Sequence, residues 1–368
     1  MADTRITRLA HVLSDYCLDV QPGQLVAITG TPLADPLIRA FYQRVLERGA
    51  QPLLLMTLPG LSEVYYKYAA DAILDQPNRL QRFIYENVDA IAQIRSSSHT
   101  RELVGTDPAR LQRSRVPEAP IVKTFMERSS RGELHWVVTQ FPTDAHAQDA
   151  DMSPLTYQDF VYRACHVDGD DDPVAYWLTF KTEQQRICDW LKGRKIVRLQ
   201  GPNVDLTMSI EGRVFVNADG RYNMPDGEVF TGPVEDSAKG WIRFTYPAVY
   251  EGREVDGVEL HFEQGRVVKA SARKDEAFLL SVLDTDAGSR YIGEFAIGTN
   301  YGVDRFTRNV LFDEKIGGTL HLALGASYPD TGGRNESSVH WDMVCNMRDD
   351  SEISADGEVF YRNGRFTI

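Results

Sequence analysis

The chain has 368 residues, 42% of them hydrophobic, which is enough for a full core and, by length, a soft argument for two domains. A formal net charge of -13 argues against sequence-independent nucleic-acid binding, which draws on clustered Lys and Arg. The four cysteines, Cys17, Cys165, Cys188 and Cys345, have no CxxC spacing, so neither a zinc knuckle nor a disulfide framework is suggested and a reducing compartment fits. No apolar signal core opens the sequence and no window approaches the ~18 consecutive apolar residues of a membrane span. A cytoplasmic protein without membrane association is expected.

The N-terminal half alternates helical and strand-like stretches. Residues 4–18 are amphipathic, LVAITG at 25–30 reads as a buried strand, PLIRAFYQRVLERG at 36–49 has helical periodicity, and QPLLLM at 51–56 is a second short apolar run. That order is βαβ, which implies a parallel sheet. Apolar runs at Val88–Ile94 and Trp136–Thr139, with helical stretches around 60–74 and 107–130, continue the pattern. The acidic, turn-rich VDGDDDP at 167–173 and the amphipathic stretch Val174–Leu191 mark the inter-domain region. The expected division is an N-terminal α/β domain over 1–190 and a C-terminal metal-binding catalytic domain over 191–368.

Beyond that region the texture changes to short β-like runs, among them KIVRLQ, VDLTMSI, GRVFVN, WIRFTYPAVY and GVELHFEQGRVVKASA, separated by Gly, Asn and Asp turns, with one helix at Lys274–Leu283. The fold class read from this is α/β: an N-terminal open α/β domain with a parallel sheet, followed by a C-terminal β-rich α+β domain.

The last third holds a constellation of metal-type side chains in strand-like settings. Glu228 lies in GEVFTG, Glu294 in IGEFAIG, His321 in TLHLALG, and His340 with Asp342 in SVHWDMV. Side chains alternate along a strand, so His340 and Asp342 point one way and Trp341 and Met343 the other. A lone HxD is weak, and its bland reading is a histidine satisfied by an aspartate. Its company strengthens it: His321 sits in an apolar strand, and Glu294 sits among Ile292, Phe295, Ala296 and Ile297, where an unpaired carboxylate would be costly.

Three carboxylates and two imidazoles suit one or two borderline or hard divalent ions. Glu228 also reads as a solvated edge-strand glutamate. Tyr328 is either a loop aromatic or a phenol placed to donate to a developing oxyanion. Glu314, in FDEKIGG, is a reserve base whose bland reading is a solvated turn acid. The remaining histidines read as structural or solvated. The turn Gly30-Thr31-Pro32 lacks both GxGxxG spacing and a P-loop lysine, so no phosphate cofactor is expected, and there is no GxSxG elbow.

The four motifs NMPDGEVFTGP (223–233), GEFAIGTN (293–300), GGTLHLALGASYP (317–329) and SSVHWDMV (337–344) together resemble the metal-dependent aminopeptidases of the thermophilic type, peptidase family M29. The resemblance runs the length of the chain and is most specific from about residue 220. It implies a homodimeric two-metal exopeptidase that removes N-terminal residues from peptides with a free N-terminus. Zinc or cobalt is implied as the metal, with manganese or magnesium as alternatives.

On this resemblance Glu228, Glu294, His321, His340 and Asp342 match the family's metal ligands, and Tyr328 matches the tyrosine near the metals. Trp341 departs from the smaller apolar residue more usual between the His and the Asp. Two metals would polarise the scissile carbonyl and activate water, with Glu294 as bridging ligand, general base or both, and Tyr328 stabilising the tetrahedral intermediate. Other readings stay open. One is another metal-dependent amidohydrolase, such as a dipeptidase or deacylase. The other is a catalytically silent, metal-stabilised binding protein, against which Tyr328 and the extra acid weigh, because structural zinc sites are normally closed by four ligands.

Overall fold

The computed structural model describes residues 3–250 and 252–368. Two compact units emerge, one formed by Met1–Leu178 with Gly220–Pro225, the other by Thr179–Asp219 with Asp226–Ile368.

The first unit is built on a wholly parallel sheet. Its strands run in the order Gln51–Met56, Leu25–Gly30, Ala90–Arg95, His135–Gln140 and Asn223–Met224. The strand Leu25–Gly30 is central, and Val26, Ala27 and Ile28 are fully buried, as expected for a strand covered on both faces. Gln51–Met56 is an edge strand, which tolerates Pro52. The helix Asp35–Glu47 buries Leu37, Ile38, Phe41 and Val45, an apolar stripe at helical spacing.

Some local detail departs from the sequence reading. The stretch at 4–18 is α-helical over Thr4–His11 and widens to a π-helix over Val12–Cys17. The 60–74 stretch is two short helices, Leu61–Tyr68 and Asp71–Leu74. Asn223–Met224 adds a fifth strand from far along the chain.

The second unit packs two large antiparallel sheets and carries a two-stranded one, Ala248–Tyr250 with Arg253–Val255. An eight-stranded sheet runs Arg266–Ser271, Glu259–Glu263, Lys239–Arg243, Val204–Ser209, Ile196–Gly201, Glu352–Ala355, Glu358–Arg362 and Arg365–Phe366. A five-stranded sheet runs His340–Asn346, Thr319–Gly325, Ile292–Gly298, Glu228–Thr231 and Val216–Ala218. Alternate residues of the smaller sheet, Val229, Phe295, Ile297, Leu320, Leu322, Leu324, Trp341, Met343 and Cys345, enter one hydrophobic core with Val197, Leu199, Leu206 and Ile242 of the larger. The strand period of two therefore commits the intervening residues to the opposite face. Those residues include Glu228, Glu294, His321, His340 and Asp342. Overall the chain is α/β, with a parallel N-terminal sheet and an antiparallel, β-rich C-terminal half.

Candidate metal centre

Strand register fixes which of these side chains become neighbours. Glu294 lies opposite Ala323, and Ala323 lies opposite Asp342, so a single methyl separates two carboxylates on adjacent strands. A bulge between Ile292 and Glu294 sets this alignment. Next along the face, His321 lies opposite Ala296, and Glu228 lies opposite Gly298. Small residues thus leave open the space that the longer donors lean into. Gly298 has a second requirement: a Cβ there would come 2.2 Å from the Ile316 carbonyl oxygen, so only glycine lets the chain at Lys315 and Ile316 lie against this strand.

The five side chains meet in two overlapping groups. His321 Nε2 is 3.0 Å from Glu294 Oε1 and 3.5 Å from Glu228 Oε2. His340 Nε2 is 3.7 Å from Glu294 Oε2 and 3.5 Å from Asp342 Oδ1. In each group, Glu228–Glu294–His321 and Glu294–His340–Asp342, one donor atom per residue lies within 4.8 Å of the others. That is close to the span of donors around one ion with bonds of about 2.0–2.2 Å. His340 Nδ1 is 2.9 Å from the Ala326 carbonyl oxygen. A carbonyl can only accept, so Nδ1 carries a hydrogen, and Nε2, which faces the carboxylates, is the nitrogen left to bind an ion once its own proton is displaced, the usual arrangement of a metal-binding histidine.

Two observations test whether these residues suit a cation. Glu228 Oε2 and Asp342 Oδ1 are buried without a hydrogen-bond partner. Leaving buried carboxylate oxygens unpaired is expensive, and a divalent ion relieves it. The donors are also all nitrogen and oxygen, which suits borderline or hard ions. The residues therefore fit the group.

The electrostatics reflect crowding of like charge out of water. Burial pushes the Glu294 carboxyl up, although its hydrogen bond with His321 opposes the shift. Burial alone would depress His321, but the Glu294 hydrogen bond and the charges of Glu228 and Glu294 outweigh it and lift the imidazole to about 9. His340 follows the same logic through Asp342 and reaches about 10. Burial opposes ionisation of Asp342 too, yet His340 and His321 hold its carboxyl well below the ordinary range.

Tyr328 lies beside the donors without joining them. Its ring stands edge-on to His340 at 5.2 Å and to Phe230 at 5.6 Å, and 48% of the residue remains exposed. Burial, followed by the charges of Glu294, Asp342, Glu314 and Glu228, pushes the phenol up, so it stays protonated and able to donate.

Glu228 is no edge-strand glutamate. Its strand is paired on both sides, with Ile292–Gly298 and Val216–Ala218, and the residue is buried. Glu314 is no solvated turn acid either, because its carboxylate accepts from Lys315 at 2.8 Å and burial drives it well above the usual carboxylate value. Sequence reasoning missed Lys315 and Asp226. Lys315 Nζ donates to Glu228 Oε1 at 2.5 Å and stands 3.7 Å from Asp226 Oδ1, both partners being buried. The available signal was the apolar setting of the DEK run, between Val310-Leu311-Phe312 and Ile316.

An antiparallel sheet with one face in the core gathers three carboxylates and two imidazoles on the other, a donor set able to hold divalent ions. The chain belongs to the thermophilic metalloprotease (M29) family, whose profile matches residues 2–366. It is a peptide-bond hydrolase that uses a divalent metal. Aminopeptidase 2 of Geobacillus stearothermophilus is 27% identical, with 100% of this chain and 98% of that protein aligned. Aminopeptidase T of Thermus thermophilus is 25% identical across 98% of this chain and 96% of its own length.

The solved structure of wild-type AmpT from Thermus thermophilus superposes with a TM-score of 0.86 at 23% identity, covering 99% of both chains. A 2,5-dihydroxypyridine dioxygenase from Pseudomonas putida KT2440 shares the fold at a TM-score of 0.61 and 13% identity, over 99% of this chain and 96% of its own. Fold alone therefore does not set the reaction. No helix among the described residues is long and apolar enough to cross a membrane.

Proposed function

We propose that this metalloprotease is an aminopeptidase that holds two divalent ions and removes N-terminal residues from peptides with a free N-terminus. Zinc or cobalt suits the donors best, with manganese or magnesium as alternatives. The observation that carries the two-ion reading is the placement of Glu294. Its Oε1 faces His321 and its Oε2 faces His340, so one carboxylate serves both donor groups. Glu228 and His321 complete the first group, His340 and Asp342 the second. When bound, such a pair of ions polarises the scissile carbonyl and lowers the pKa of water so that it attacks near neutral pH.

The chain's own residues supply the rest. Glu294 is proposed as bridging ligand, general base or both; as a base it would take the proton of water on an oxygen not held by an ion and pass it to the leaving amine. Glu314, whose carboxylate lies next to Lys315 and outside both donor groups, is the reserve base. Tyr328, kept protonated, is placed to donate to the oxyanion of the tetrahedral intermediate. Relatives named as aminopeptidases support the exopeptidase sense. The same reading makes the protein a cytoplasmic homodimer. Four buried cysteines without a disulfide suit that compartment, and the dimer follows from the family resemblance.

The test is release of amino acid from aminoacyl-p-nitroanilides. A chelator should abolish it, divalent metal should restore it, and Glu294→Gln or Asp342→Asn should eliminate it. Activity that survives both chelation and substitution refutes the metal mechanism. Rapid cleavage of N-acetylated peptides would favour a deacylase instead.

A further inference from the structure

Lys315 is a fixed cation on one side of the centre only. The residue is 2% exposed, and its ammonium donates to Glu228 Oε1 at 2.5 Å and Glu314 Oε2 at 2.8 Å, with Asp226 Oδ1 at 3.7 Å. Among the described residues it makes no ion pair with Glu294, His340 or Asp342. Glu228 therefore presents one oxygen, Oε2, to the donor group it shares with Glu294 and His321, because the other is already held.

The second group is differently prepared. Its histidine, His340, is oriented by the Ala326 carbonyl, and among the described residues neither of its other two donors is held by a lysine. His321, by contrast, has a buried Nδ1 with no hydrogen-bond partner, so no such contact fixes its ring. An ammonium close to a doubly charged ion in a site of low dielectric weakens that ion's binding. A histidine whose far nitrogen is hydrogen-bonded holds its ion better than one whose far nitrogen is not.

We infer that Lys315 is a positioning residue that makes the two ion positions unequal. By holding Glu228 to one free oxygen and opposing a cation there, it leaves the Glu228–Glu294–His321 position the weaker and exchangeable one. The Glu294–His340–Asp342 position fills first. The inference rests on the two-ion reading above and identifies which of the two ions comes and goes.

The test is a zinc titration of the chelator-stripped protein, followed by calorimetry with a competing chelator and by the ring signals of 15N-labelled histidine. Two classes of site separated by about tenfold or more are expected, with the His340 ring perturbed first and the His321 ring second. Lys315→Met should close the gap by tightening the second site, while Lys315→Arg, which keeps the charge, should preserve it. The inference is overturned if His321 responds first, if wild type shows two equal sites, or if Lys315→Met folds and leaves the gap unchanged. The order of filling in wild type decides the matter even if Lys315→Met does not fold. Uptake of a single zinc at saturation overturns the two-ion reading and this inference together, whereas two zinc ions without a gap overturn this inference alone.

Discussion

Loading of the metal-free protein should depend steeply on pH, in a direction set by the two imidazoles. In the absence of ions the surrounding carboxylates raise His321 to about 9 and His340 to about 10. Both are therefore protonated at pH 7, and each incoming ion must displace a proton. For either imidazole this means working against two to three pH units, about 3–4 kcal/mol or roughly a hundredfold to a thousandfold in apparent affinity, a cost shared by both positions.

Zinc affinity should then rise about tenfold per pH unit for each ion from pH 7 and level off at pH 9–10, where the imidazoles become neutral. Stability of the metal-free protein runs the other way. Both folded values lie above the ordinary histidine value, so the stabilising imidazolium–carboxylate contacts are complete below about pH 6.5 and are lost as pH climbs through 9 and 10. The melting-temperature gap between loaded and stripped protein should widen with pH across that window. Calorimetric zinc titrations in two buffers of different ionisation enthalpy count the protons released. Flat affinity between pH 7 and 9 with no proton release would refute the reasoning, because it would mean that the imidazoles are already neutral in the stripped protein.

Three substitutions test the two faces of the smaller sheet. Trp341 is 1% exposed and packs against Tyr250 and Phe278 in the core, so Trp341→Ala should cost about 3–5 kcal/mol in denaturant unfolding while zinc stoichiometry stays intact below the new melting point. Ala323 is the methyl between Glu294 and Asp342, so Ala323→Leu should fill the ion-binding space and abolish zinc uptake; normal uptake by a folded variant would show that the space lies elsewhere. Tyr328→Phe should lower kcat by about 10²–10³ with KM little changed, the signature of an interaction made in the transition state, and a pure KM effect would count against that role.

Much of the architecture could be read from periodicity. The βαβ order at 25–56 became a parallel sheet, and the alternation in His340-Trp341-Asp342-Met343 separated donors from core residues as the pleat requires. The helix Arg79–Asn87 is not legible in the sequence, nor are the terminal strands Glu352–Ala355 and Glu358–Arg362, because short elements with mixed polarity carry little periodic signal. Convergence of the five donors followed from strand identity plus burial cost. The surroundings of Glu314 did not, because a DEK run looks like surface. Only the contact between the Lys315–Ile316 segment and Gly298, set by tertiary packing, brings that lysine to Glu228.

The back-to-back use of the smaller sheet also restricts how this protein can change in length. One extra residue in Thr319–Gly325, in His340–Asn346 or in Ile292–Gly298 beyond its bulge at Ile292–Glu294 would throw every later side chain of that strand through the sheet, pushing a carboxylate or imidazole into oil and a leucine or tryptophan among the donors. Insertions and deletions are therefore confined to the turns between these strands, where the reading frame of the pleat is not at stake.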